Sequence, residues 1–131
     1  MGKQESVTQS LPGANVVQQW FGYWPEFHDA EVISLYLARE GESVLRVYPY
    51  WPRKPATVEF ILEEVTDVEL ADFNRQNVIN SLHIETAVDQ NKEAVFRLNL
   101  SPCYGLAGRI DAKRIRVNLL PGKSPDGMSA S

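Results

Sequence analysis

The chain has 131 residues, of which 44 % are apolar and 23 % charged. That is the length of one domain, enough to bury a core and too apolar for the body to stay disordered. Seventeen acids against thirteen bases give a net charge of −4, which argues against a nucleic-acid partner, since that role needs a basic face. No apolar run reaches the ~18 residues a membrane-spanning helix requires. The polar opening MGKQESVTQSLPGANVV lacks a secretory pattern, and the single cysteine, Cys103, permits no internal disulfide. These features predict a cytoplasmic protein with neither a nucleic-acid nor a membrane partner.

Residues 1–13 read as a flexible leader, 14–120 as a single globular domain and 121–131 as a flexible tail. Asn15 is placed to cap a short helix, Val16 to Phe21, ending at Gly22. After Pro25 the apolar period changes to two. Glu31–Arg39 and Val44–Tyr50 flank Glu40-Gly41-Glu42 and predict a β-hairpin. Pro49 and Pro52 predict that its second strand lies at an edge or ends early.

Thr57–Val65 places Val58, Phe60 and Leu62 on one face, and Val68–Phe73 reads as a shorter strand. Asn74-Arg75-Gln76-Asn77 predicts a turn, because asparagine tolerates left-handed backbone. Val78–Val88 alternates, with Val78, Leu82, Ile84 and Val88 inward and Asn80 and Thr86 in phase. A helix over residues 71–82 is the competing reading, since that stretch has no breaker. Asp89-Gln90-Asn91-Lys92 predicts another turn. Ala94–Ser101 puts Phe96, Leu98 and Leu100 on one face, and Arg109–Ala112 and Arg114–Leu120 close the set. The fold class is α+β: about seven or eight mainly antiparallel strands with one short N-terminal helix.

Few residues offer chemistry. His28 stands beside Asp29 and near Glu31, a set able to ligate a metal or pair a base with its orienter. On an extended chain, however, His28 and Asp29 point to opposite faces. His28 and Asp29 are therefore expected to bond within the protein at the corner after Pro25, and neither a metal nor another cofactor is assigned. A small enzyme or ligand-binding domain with a pocket at His28, Asp29 and Glu31 is the alternative reading. His83 falls on a polar strand face. Cys103 lacks a base nearby in sequence, so it reads as a residue at a strand end. No catalytic residue is assigned.

The charges are segregated. Glu59, Glu63, Glu64, Asp67, Glu69 and Asp72 occur in fourteen residues without a base, while Arg109, Lys113, Arg114 and Arg116 gather late. As an acidic surface, Glu59, Glu63, Glu64 and Asp67 would steer a basic partner. Tyr48, Tyr50 and Trp51, held between two prolines, form a second candidate contact, because such aromatics anchor interfaces.

The run Phe21-Gly22-Tyr23-Trp24-Pro25-Glu26-Phe27-His28-Asp29-Ala30-Glu31-Val32 resembles the opening signature of the immunity protein 50 family, bacterial proteins that neutralise a partner toxin. Phe73-Asn74-x-Gln76-Asn77-Val78 and Gly108-x-Ile110-x-Ala112 are also similar to that family's pattern. The resemblance implies a binding protein without catalytic residues, whose partner is a protein toxin covered at its active or substrate surface. It also implies that Trp24, Pro25, Phe27, His28, Asp29 and Glu31 mark a structural corner.

Overall fold

The computed structural model describes residues 7, 10–25, 27–49 and 54–122. Helix α1 spans Ala14–Phe21. Six strands follow: β1 Glu31–Tyr36, β2 Glu42–Tyr48, β3 Ala56–Ala71, β4 Val78–Val88, β5 Ala94–Tyr104 and β6 Ala107–Pro121. Neighbouring strands are antiparallel, and the order β1-β2-β3-β6-β5-β4 closes into a barrel. Among the described residues the protein is thus mainly β, with the short helix α1 ahead of the first strand.

The interior follows the period-two pattern. Val58, Phe60, Leu62 and Leu98 are fully buried, Leu100 is nearly so, and Phe96 is partly buried against the same core. Leu45, Val47, Ile84 and Ile110 complete the filling. Trp24, Phe27 and Phe60 meet edge to face, with centroids 5.6–6.4 Å apart. The corner before β1 therefore packs its apolar side chains into the barrel.

Six strands replace the expected seven or eight because two predicted breaks are not breaks. Thr57–Val65 and Val68–Phe73 merge into β3, and the two last strands merge into β6. Near the junction on β3, Glu64 takes a left-handed φ of 57°. Thr66 is an extra residue between the pairs Val65–Ala112 and Asp67–Asp111. This bulge changes which side chains face inward but leaves the ladder to β6 continuous. Similar shifts near the start of β4 bury Ile79 and Leu82, three residues apart, whereas Asn80 and Val88 are exposed and Val78 only half-buried. The inward positions expected for Val78 and Asn80 fail for that reason, whereas Thr86 and Val88 keep the phase of the buried Leu82 and Ile84 but are exposed at the far end of β4. The stretch 71–82 is not a helix: residues 72–77 form a loop and Val78 opens β4.

The helix starts earlier than its expected cap. Gly13, not Asn15, is the N-cap, with φ 89° and no side-chain bond. Pro12 O accepts the Val117 N–H at 2.8 Å, which fastens this step to β6. A Cβ on Gly13 would stand 1.9 Å from Val117 O, so only glycine fits. Leu11 is buried, so residues 11–13 belong to the packed body rather than to a loose leader. At the other end β6 runs through Pro121, and the Gly122 N–H reaches Pro55 O at 2.9 Å. The hairpin of β1 and β2 forms as expected. β2 stops before Pro49, but it is no edge strand, since it pairs with β1 and β3. Residues 1–6, 8, 9, 26, 50–53 and 123–131 lie outside the described residues. They include Tyr50 and Trp51 and parts of the leader and tail.

Candidate functional site

The barrel seam is short. β1 meets β4 through one ladder pair, Glu31 with Val78. Three backbone bonds extend it: Asp29 N–H to Ile79 O at 2.8 Å, Ile79 N–H to Ala30 O at 2.8 Å, and Val32 N–H to Asn77 O at 2.9 Å. The turn that supplies them is tight. Ala30 N–H bonds to Phe27 O at 3.0 Å, and Phe27 and Asp29 take left-handed φ values of 62° and 68°. Trp24, Pro25 and Phe27 face the interior, whereas His28 and Asp29 are exposed and Glu31 is half-buried in the ladder. Residues 27–30 thus form the turn that leads into β1.

Cys103 joins that corner. One ligand atom from each of His28, Asp29 and Cys103 lies within 4.8 Å of the other two. His28 Nδ1 is 3.2 Å from Asn80 O, and Nε2 is 3.7 Å from Asp29 Oδ1. The Cys103 thiol points to Ile79 O at 3.8 Å, the carbonyl that also receives the Asp29 N–H. Glu31, grouped with His28 by sequence, is not in the cluster. Sequence reasoning missed Cys103 because its approach depends on the corner before β1 closing against β4, the neighbour of β5.

A buried latch backs the corner. Asn77 Oδ1 accepts the backbone N–H groups of Asn74 and Leu106, both at 2.9 Å, and its Nδ2 donates to Asn74 O at 2.8 Å. The asparagines of this turn were expected to supply left-handed backbone. The positive φ falls instead on Asp72, and Asn77 acts through its side chain.

The segregated charges meet in space, because β3 lies beside β6. Glu59 accepts from Arg46 Nε at 2.7 Å and from Asn118 at 2.9 Å. Glu63 bridges Arg114 at 2.8 Å and Arg116 at 3.1 Å, and Glu64 also takes Arg114 at 2.8 Å. Arg114 and then Arg116 hold the Glu63 carboxyl below its usual range. Arg109 reaches Asp67 at 3.0 Å, Glu69 at 3.3 Å and Asp111 at 3.0 Å. The sequence run without bases is thus a surface of alternating charge. Tyr48 sits half-buried at the end of β2, opposite Glu31.

A different surface is apolar. Tyr36, Leu37 and Phe73 are exposed by 64 %, 45 % and 65 %, and Tyr104 by 55 %. A groove of about 360 Å³ runs between the end of β1 and the far end of β3, lined by Leu35, Leu37, Leu70, Ala71, Asp72, Phe73 and Leu106. The sequence placed Leu37 within the strand Glu31–Arg39 and Phe73 at the end of Val68–Phe73, and their shared groove follows from topology alone. No helix among the described residues is long and apolar enough to cross a membrane. Comparison with protein-family models, with curated proteins and with solved structures finds no match for this chain.

Proposed function

We propose that the chain is an immunity-type binding protein of the cytoplasm that neutralises a partner toxin by covering its active or substrate surface. The apolar groove lined by the exposed Leu37 and Phe73 carries this reading. Large side chains grouped in the open mark interaction surfaces, and aromatic ones supply most binding energy when a partner dries them. The resemblance of Phe21–Val32 to immunity proteins supports the choice of a toxin as that partner. The occupant is therefore a protein presenting apolar side chains to the groove. Because the acids of β3 are paired, their role is to orient the partner at the margin of the contact. No catalytic role is assigned to the chain.

The test uses the chain as bait in extracts of its own cells, beside a Leu37→Asp/Phe73→Asp double variant. Both positions are exposed, so the variant should fold. The expected result is a protein held by the parent and lost by the variant, whose lethality on expression is relieved by the parent alone. Equal capture by both, or a captured protein that harms no cell, would reject the proposal.

A further inference from the structure

We infer that His28, Asp29 and Cys103 form a binding site for a single divalent transition-metal ion of the Zn²⁺ type. The inference is independent of the partner reading. It begins with three donors of different chemistry, from two segments distant in sequence, whose ligand atoms lie within 4.8 Å of one another. Imidazole, carboxylate and thiolate together suit Zn²⁺; a thiolate disfavours Mg²⁺ and Ca²⁺.

The histidine is already set up as a ligand. A carbonyl only accepts, so the 3.2 Å contact between His28 Nδ1 and Asn80 O places the proton on Nδ1. Nε2 is then the ring nitrogen left to meet an ion, on the side where Asp29 lies. A backbone carbonyl fixing one ring nitrogen while the other binds is the usual support of a metal-bound histidine. The Nε2 to Oδ1 distance is 3.7 Å. Two ligand atoms about 2.0–2.1 Å from a tetrahedral ion stand about 3.3 Å apart, and a sulfur and a nitrogen about 3.6 Å apart. Closing the cluster from its present spread therefore asks for side-chain rotation of about 1 Å. The His28 and Asp29 side chains are 57 % and 70 % exposed, which leaves them room to move.

The backbone beneath them is less free. The Ile79 carbonyl takes the Asp29 N–H and lies next to the Cys103 thiol. The barrel seam thus anchors the site. A Cys–His dyad oriented by Asp29 fits less well, because the second ring nitrogen already bonds to a backbone carbonyl. On binding, Cys103 releases its thiol proton to solvent and the sulfur donates an electron pair to the ion. The fourth position faces solvent and takes water.

The test titrates the reduced full-length chain with Co²⁺ and with Zn²⁺. One Co²⁺ per chain is expected, with a thiolate-to-cobalt charge-transfer band in the near ultraviolet and the strong visible bands of a four-coordinate ion. Cys103→Ser should abolish the charge-transfer band. Cys103→Ser and His28→Ala should each weaken Zn²⁺ binding at least ~10-fold by calorimetry. Both side chains are exposed, and melting curves without metal confirm that each variant is folded. Absence of the charge-transfer band in the parent, or Zn²⁺ affinity unchanged in either folded variant, would overturn the inference.

Discussion

Asp111 and Arg97 form a two-point ion pair across β6 and β5. Arg97 Nε donates to Asp111 Oδ1 at 2.8 Å, and Nη2 donates to Oδ2 at 3.0 Å. The carboxylate is almost wholly buried, and Arg109 takes its remaining capacity at 3.0 Å. Asp67 stands directly opposite Asp111 in the β3–β6 ladder. Like charges in that position repel, so Arg109, which bonds to both, is what makes the pairing tolerable.

The bond from Arg97, ahead of the charge of Arg97 and Arg109, holds the Asp111 carboxyl below its ordinary value. A lowered folded-state pKa stabilises the fold above the unfolded value, and that contribution is lost as pH falls through the folded one. Asp111 should therefore contribute a constant amount at neutral pH and lose it below about pH 4. Asp111→Asn should cost about 3 kcal/mol at pH 7, because two arginines lose their buried partner. Urea unfolding at pH 7 and pH 3 checks this, and the difference between parent and variant should shrink at the lower pH.

Gly105 and Asn77 make a second prediction. Gly105 has φ 89°, and a Cβ there would lie 2.4 Å from Asn77 Oδ1. Gly105→Ala meets both a backbone penalty and a clash with the latch, and should cost at least ~2 kcal/mol. Asn77→Ala leaves the Leu106 N–H buried without its acceptor, for a loss of about 2–3 kcal/mol. Thermal melts of the two variants and of the double variant test the coupling. The double variant should melt above the additive expectation, because the closest clash disappears with the side chain, while the backbone strain and the 2.9 Å approach to Gln76 O remain.

The charge ladder gives a third. Glu63 serves Arg114 and Arg116, and Arg116 also reaches Glu42 at 2.6 Å. Glu63→Gln should lower the melting temperature in dilute buffer by leaving two guanidinium groups facing each other. The difference should narrow as salt is added, since ions screen exposed charges. A salt-independent loss would mean that Glu63 acts through packing.

The elements that were legible in the sequence are those with local signals. Val58, Phe60 and Leu62 share one face and are fully buried, although Glu59 and Ile61 between them are buried too, and Gly22 ends its helix with φ 87°. At His28 and Asp29 the chain turns through left-handed φ values at Phe27 and Asp29. The bulges were not legible: Thr66 and Asn80 have no composition that marks an extra residue, yet they decide which neighbours face inward. The charge pairing was equally hidden. It depends on β6 lying beside β3, whereas sequence order suggests β4. Cys103 reaches His28 by a different non-local step, the closure of β4 against the corner before β1.

Asp29 separates a backbone role from a side-chain role at the seam. Its φ is 68°, and its N–H is bonded to Ile79 O at 2.8 Å. Aspartate tolerates this conformation better than alanine does, and glycine adopts it without steric cost. If the backbone conformation is what the corner needs, Asp29→Ala should cost about 1 kcal/mol. Asp29→Gly should recover most of that, its only penalty being the greater freedom of the unfolded chain. If the carboxylate itself holds the corner, both variants should fall together, since both remove it. The measurement is the unfolding free energy of the three metal-free proteins. We expect the order parent, then Asp29→Gly, then Asp29→Ala, with the glycine variant nearer the parent. An Asp29→Gly variant as unstable as Asp29→Ala would instead assign the seam to the side chain.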